Sequence, residues 1–299
     1  MMLSIVIASW NTRALLHACL ASIFRHPPPF KFEVIIVDNA SGDGSPEMVR
    51  AEFPAARLKK NHANLGFAAA CNLGAGMASG RYLLFLNSDT RVRKATLSGA
   101  VAYMESHPGT GIMGCQTLNP DGSLQATALA FPTLTRILAN VSGLSDLRGL
   151  SRRRAKASRR PFDYVQGSFL VIAKSVFERC GGFDESFFLY GEDVDLCLRV
   201  RAAGLSIGYD QETSIVHHGG GSSKNLSSRL AYLISGCNLL YKKYRQGPQI
   251  KKLATFTKSA LRLRLLAEHA FSILNFRARK RKIAARFGFV AATKKEGSI

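Results

Sequence analysis

The residues of this chain best suited to chemistry are carboxylates placed where apolar runs stop. Tyr82–Leu86 is a continuous apolar run, too short for a helix and typical of a strand buried on both faces of a parallel sheet. It stops at Asn87-Ser88-Asp89. In open α/β sheets ligands bind beyond the carboxyl ends of strands, which is where Asp89 stands. A carboxylate there can hold Mg²⁺ or Mn²⁺, hard cations that bridge phosphates to protein through one or two carboxylates. A strand followed by a plain polar turn would read the same way. Asp38 closes the run Phe32–Val37 in the same manner, and can accept hydrogen bonds from a base imide or a ribose hydroxyl.

The stretch from Gly181 to Arg201 is the most informative. Gly191 makes a turn, and Glu192-Asp193 enter a helix, where the partial positive charge of the N-terminus keeps carboxylates ionised. Asp195 and Arg199 are four apart and can pair, which leaves Asp193 as an unpaired carboxylate placed as a general base should be. An acidic N-cap cluster is the plain alternative, but it needs no apolar wall such as Phe187-Phe188-Leu189-Tyr190. His217-His218 follow the run Ser214–Val216. Adjacent residues of a strand point to opposite faces, so at most one histidine can join Asp89, and which one stays open. Asn64-Leu65-Gly66-Phe67 turns into a helix that carries Asn72 on the side of Ala68; a helix start with a buried Asn72 is equally compatible.

These residues need a scaffold. Leu3–Ala8, Phe32–Val37, Ala56–Lys60 and Tyr82–Leu86 read as strands, separated by helices to about Arg25, from Ser45 (the expected N-cap, with Pro46 in the first turn) and over Phe67–Ala78. That alternation implies a parallel sheet with crossover helices. Beyond it come a helix at Ala95–Ser106, a strand at Gly111–Leu118, an Asn119-Pro-Asp-Gly122 turn, and regular structure at Val165–Ala173. Short and long helices follow at Lys174–Cys180 and Asp193–Ala203, then strands at Leu205–Tyr209 and Ser214–Val216. The glycine sets Gly42/Gly44 and Gly74/Gly76/Gly80 fail a dinucleotide fingerprint, which argues against a nicotinamide oxidoreductase.

Composition narrows the partners. The chain has 299 residues, 46% of them hydrophobic, and a formal net charge of +21, a field that favours polyanions. The excess lies in Arg148–Arg160 and after residue 241, without a nucleic-acid-binding signature, so no specific nucleic acid is expected. Six scattered cysteines without a CxxC pair read as reduced, mostly buried thiols of a cytoplasmic chain. No apolar run reaches the ~18 residues that span a bilayer, and the start runs directly into a strand, as expected of a chain without a signal peptide.

In order and spacing, several segments together resemble family 2 glycosyltransferases of the GT-A fold, and among them rhamnosyltransferase-like members. They are Ser4–Asn11, Val37–Ser45, Asn64–Ala68 with Asn72, Leu86–Asp89, Gly167–Ile172, Gly181–Glu185, Gly191–Leu196 and His217–Gly220. The resemblance implies an α/β GT-A fold with a mainly parallel central sheet. It puts Ser9 and Asp38 at the base and ribose, with Asn64, Gly66 and Asn72 nearby. Asn87 would reach the ribose, Asp89 would hold Mg²⁺ or Mn²⁺ with His217 beside it, and Asp193, next to Glu192, would be the catalytic base. The family usually writes the metal motif D-x-D, whereas this chain has Asn87-x-Asp89, so a metal would lean on Asp89 and His217. The implied reaction is an inverting transfer from a nucleoside-diphosphate sugar (dTDP-rhamnose or a UDP-sugar) to a glycan or polyprenyl-linked acceptor in cell-surface polysaccharide synthesis. A non-catalytic binding protein of the same fold is the alternative.

Residues 1–224 are expected to form the catalytic domain and 225–299 a basic helical extension. In that extension apolar residues at helical spacing alternate with lysines and arginines, ending in Arg277-Ala-Arg-Lys-Arg-Lys282. We expect it to hold the protein peripherally on an anionic membrane surface, the inner face of the cell membrane. A helix packed back on the catalytic domain is the competing expectation.

Overall fold

A computed structural model describes residues 1–133, 162–219 and 226–244, with side chains of the last helix described from Ala231 onward. The first four strands, β1 (Leu3–Ser9), β2 (Phe32–Asp38), β3 (Arg57–Lys60) and β4 (Tyr82–Leu86), are joined by α1 (Arg13–Arg25), α2 (Ser45–Glu52) and α3 (Phe67–Met77). All four lie parallel, in the order β3-β2-β1-β4. Then come β5 (Thr90–Val92), α4 (Thr96–Ser106), β6 (Thr110–Leu118), β7 (Leu124–Gln125), β8 (Ala128–Leu129), β9 (Tyr164–Val165) and β10 (Phe169–Ala173). The described chain ends with α5 (Lys174–Arg179), α6 (Glu192–Ala202), β11 (Ser206–His217) and α7 (Leu226–Tyr244).

The sheet continues from β4 through β10, β6 and β11 to β5, with β7 on the end of β6. It is mainly parallel, as expected, but β10 runs against both β4 and β6, and β5 runs against β11. Period-two alternation sends Leu3, Ile5 and Ile7 to one face, with Leu16, Leu20 and Ile23 of α1, Met48 of α2 and Leu97 of α4. Val6, Leu83 and Phe85 face the other way, against Ala68 and Cys71 of α3, Phe177 of α5 and Val194 and Cys197 of α6. All six cysteines are free thiols and five are buried, in line with the sequence expectation.

Local details depart from the sequence reading for identifiable reasons. Two expected strands at 205–216 are one strand, β11, because the Asp210 carboxylate accepts from the backbone N–H groups of Glu212 and Thr213 (2.9 and 3.2 Å) and bridges an irregularity. The cap of α2 is Gly44, at φ +81°, one residue earlier than expected. Asp43 takes the role given to Ser45, accepting from its backbone N–H at 3.1 Å.

α7 opens the stretch expected to form the basic extension, and of the two placements left open for it the described residues take the one against the catalytic domain, burying Cys237, Leu240 and Tyr241. Tyr241 donates to the carbonyl of Pro132 (3.0 Å), and Tyr232 stacks on Phe188 with ring centroids 5.0 Å apart. Gly236 permits the approach, since a Cβ there would lie 1.9 Å from the carbonyl oxygen of Tyr190. The Arg148–Arg160 cluster, Gly220 and residues 245–299 lie outside the described residues.

Candidate functional site

The candidate residues gather at the carboxyl ends of β1, β2 and β4 and at the start of α6, with the end of β11 closing the group. Pairing of β1 with β2 sets Ser9 opposite Asp38. The Ser9 hydroxyl lies 3.0 Å from that of Thr12, which donates to Ser88 at 3.0 Å. Since Thr12 spends its one proton on Ser88, Ser9 is the donor to Thr12. This hydroxyl chain ties the end of β1 to the loop after β4. Asp38 is buried, and its Oδ2 accepts from the backbone N–H of Ser41 (3.0 Å). Its Oδ1 has no hydrogen-bond partner. A buried carboxylate oxygen without a donor is costly, so this atom suits a ligand N–H or O–H.

Asn64 and Gly66 shape the neighbouring turn: Asn64 Oδ1 accepts from the Gly66 N–H at 3.0 Å. Gly66 adopts φ +86°, and a Cβ there would lie 2.5 Å from the Phe188 carbonyl oxygen, so only glycine lets the two loops meet. Asn39 donates to the Gly66 carbonyl (3.0 Å) and accepts from Asn61 (2.9 Å), a brace that the sequence reading missed. Asn72 points elsewhere. Its amide donates to the Phe183 carbonyl and to Glu185, and accepts from the Phe183 N–H, each at 2.9 Å. It clamps α3 to the loop before α6.

Pairing of β5 with β11 sets His217 opposite Thr90 and answers the question the sequence left open. His217 Nε2 is 3.2 Å from Asp89 Oδ1 and 3.5 Å from the Asn87 amide nitrogen, whereas His218 gives its backbone N–H to the Asp89 carbonyl (3.0 Å). Asp89 and His217 are close enough to share one cation. Among the described residues no group of three or more His, Cys, Asp or Glu side chains gathers for a metal. Two side-chain ligands fit a divalent cation that completes its shell with phosphate oxygens and water. Gln125, which the sequence reading passed over, touches the far side of the His217 ring (3.0 Å).

Glu192 and Asp193 open α6, after Gly191. Glu192 is buried, with Oε2 unpartnered, and Asp193 is half-buried. Burial pushes both carboxyls up, Glu192 well above the usual carboxylate range with the Asp193 charge adding to it. This runs against the expectation that the helix terminus keeps both ionised, because burial outweighs it. Asp193 is the more readily ionised of the two, because Oδ2 accepts from the Gly167 N–H (3.0 Å) and Oδ1 from the Val194 N–H (2.8 Å). Next to Gly167, the Ser168 carbonyl accepts from the Asn87 N–H (3.2 Å), so one short loop links Asp193 to the end of β4.

Asp195 is fully buried and pairs with Arg199 (2.8 and 2.7 Å), as expected from their spacing. It also accepts from Lys243 (2.6 Å) and Tyr244 (2.7 Å) of α7, and Lys243 reaches Asp184 (2.6 Å). No sequence spacing announces these contacts across the fold.

A family model described as glycosyl transferase family 2 matches residues 4–180. An N-acetylglucosaminyl-diphospho-decaprenol L-rhamnosyltransferase of Mycobacterium tuberculosis is 30% identical over 207 residues, which span 62% of this chain and 66% of that protein. The rhamnosyltransferase WbbL of Escherichia coli K12 is 28% identical over 153 residues, 50% of this chain and 56% of its own. Among solved structures, a mannosyltransferase of Pyrobaculum calidifontis in complex with GDP-Man and Mn²⁺ superposes with a TM-score of 0.56 at 18% identity, over 91% of this chain and 75% of its own. That likeness establishes the GT-A fold.

Proposed function

Because this chain belongs to glycosyl transferase family 2 and is therefore a glycosyltransferase, we propose that it transfers a sugar with inversion from a nucleoside-diphosphate donor to a glycan or polyprenyl-linked acceptor. Rhamnose is the first candidate sugar, following the names of the relatives, and we put dTDP-rhamnose first as its donor and a UDP-hexose second. The observation that carries this reading is the Asp89–His217 pair at 3.2 Å, on the same sheet edge as the unpartnered Oδ1 of buried Asp38.

Asp38 Oδ1 accepts the base imide or a ribose hydroxyl, and the ordered turn around Asn64 and Gly66 walls that end of the donor. Asp89 and His217 hold Mg²⁺ or Mn²⁺, with Asn87 turned toward the ribose. The cation, when bound, neutralises charge developing on the departing diphosphate. Asp193, held by the Gly167 N–H, takes the proton from the acceptor hydroxyl as that oxygen attacks the anomeric carbon. One displacement requires one base, so Glu192 is not needed as a nucleophile; buried and unpartnered at one oxygen, it stays neutral next to Asp193.

Residues 245–299 carry the run Arg277-Ala-Arg-Lys-Arg-Lys282, and no described helix is long and apolar enough to cross a membrane. We assign these residues to an anionic membrane surface, each basic side chain contributing about 1 kcal/mol there. That placement would bring the protein, on the cytoplasmic side, to a lipid-linked acceptor.

Titrating candidate sugar nucleotides by calorimetry with Mn²⁺ and with chelator, then assaying transfer, tests the donor half. We expect Mn²⁺-dependent binding that Asp89→Ala abolishes. Normal binding and transfer by Asp89→Ala would refute the assignment. Removing residues 250–299 should release the protein from anionic vesicles with donor binding intact; a truncated chain that still sediments with them would refute the membrane role.

A further inference from the structure

The orientation of the His217 ring follows from a directed series of hydrogen bonds that starts at the surface turn Asn119-Pro120-Asp121-Gly122. An ionised carboxylate only accepts, so the Ser123 hydroxyl, 2.6 Å from Asp121 Oδ1, donates to it. Having spent its one proton, Ser123 Oγ accepts from the Asn119 amide nitrogen at 2.8 Å. That fixes which end of the Asn119 amide faces inward, and its Oδ1 accepts from Gln125 Nε2 at 2.6 Å. The other proton of the same NH₂ group goes to the His217 carbonyl oxygen at 2.7 Å. With both protons committed, Gln125 can present only Oε1, an acceptor, to His217 Nδ1 at 3.0 Å. Nδ1 therefore carries the proton of the neutral ring, and Nε2 keeps its lone pair.

That lone pair faces Asp89 Oδ1 at 3.2 Å. Two acceptors at this distance repel unless a proton or a metal cation joins them. The backbone holds the series in register: β7 pairs with β6 at Thr117↔Gln125, and β6 with β11 at Leu118↔Val216, beside His217.

We propose that Gln125, oriented by the turn at Asn119, Asp121 and Ser123, is a positioning residue that locks His217 in the Nδ1–H tautomer and aims Nε2 at the cation site. Gln125 acts through His217, whose Nδ1 and carbonyl oxygen it contacts. The proposal rests on the reading above of Asp89 and His217 as the cation-holding pair. Polar partners behind a metal-binding imidazole commonly act this way, and their loss typically weakens metal affinity about 10–100-fold.

The test uses the full chain, labelled with ¹⁵N-histidine and freed of metal with chelator, at a pH of about 8.5, well above the ordinary histidine pKa near 6.5. Long-range ¹H–¹⁵N correlations of His217, assigned by loss of its signals in His217→Ala, should show Nδ1 protonated and Nε2 bare. Gln125→Met should shift the ring toward a mixture of tautomers and weaken Mn²⁺ binding, read by electron paramagnetic resonance, by about 10–100-fold. In a His217→Ala background it should have no further effect. Gln125→Glu, which keeps an acceptor beside Nδ1, should retain the tautomer, and it carries the test if the methionine variant does not fold. An Nε2–H tautomer in the wild-type chain overturns the proposal. So does an equal loss of Mn²⁺ affinity from Gln125→Met with and without His217, the mark of a merely structural role. A wild-type chain with the Nδ1–H tautomer but no Mn²⁺ binding supports the positioning role and overturns the cation reading instead.

Discussion

Replacing Asp193 by asparagine separates its role as a base from its role in the loop. Both carboxylate oxygens accept a backbone N–H, Oδ2 from Gly167 and Oδ1 from Val194. Asparagine has one acceptor oxygen, so in either orientation its NH₂ group meets one of these N–H donors. One unmade, partly buried hydrogen bond costs about 1–3 kcal/mol, and Asp193→Asn should lose that much stability in urea unfolding. The chemical effect is larger. A positioned general base contributes about 10²–10⁴-fold, or roughly 3–5 kcal/mol of barrier, and asparagine cannot take a proton. The expected result is therefore kcat down by that factor, with the donor Kd within about twofold of wild type, since the proposed base acts on the acceptor hydroxyl. Glu192→Gln is the control. Burial already pushes Glu192 toward its neutral form, which glutamine mimics, so kcat and stability should change little. Initial rates of transfer, donor calorimetry and urea curves on both variants decide the matter. If Asp193→Asn kept kcat within about threefold while Glu192→Gln lost a hundredfold, the base would be one residue upstream and this reasoning would be wrong.

Other substitutions probe the supports of the site. Lys243→Met removes bonds to Asp184 and Asp195, but Arg199 and Tyr244 stay with Asp195. The loss should be about 1–3 kcal/mol in urea unfolding, below the roughly 3–5 kcal/mol of a broken buried pair; no measurable loss would mean that α7 is not clamped there. Burial opposes ionisation of Asp184, yet the Lys243 and Ser186 donors hold its carboxyl down at about 2, against an ordinary 3.8. A lowered folded-state value means stability that is present above pH 3.8 and lost as pH falls toward 2, so acid unfolding should be shallower across that window in Asp184→Asn. Asn87→Asp sets a second carboxylate beside His217 Nε2 and should tighten Mn²⁺ binding or leave it unchanged; weaker binding by calorimetry would place the cation elsewhere.

Much was legible in the residues themselves. Continuous apolar runs such as Ile5–Ala8 and Tyr82–Leu86 declare buried parallel strands, and the polar residues that stop them mark the ligand edge, because side-chain burial and local backbone preference act over a few neighbouring residues. Asp195 and Arg199 could be paired from the helical repeat alone. Only the tertiary structure could turn β10 against its neighbours, since strand direction depends on where a long connection returns. Only it could choose His217 over His218, a choice made by the pairing of β5 with β11 across residues remote in sequence. Asn72 was compatible with a donor-site residue or a helix-start residue, and its bonds to Phe183 join segments far apart in sequence; Gln125 carried no local signal because its partners, Asn119 and His217, come from a turn and a distant strand. The fate of α7 was undecided for the same reason. An apolar helical stripe fits a membrane or a protein face equally well, and what decides between them is the presence of Asp184, Asp195 and the Tyr190 carbonyl at the right distance in space.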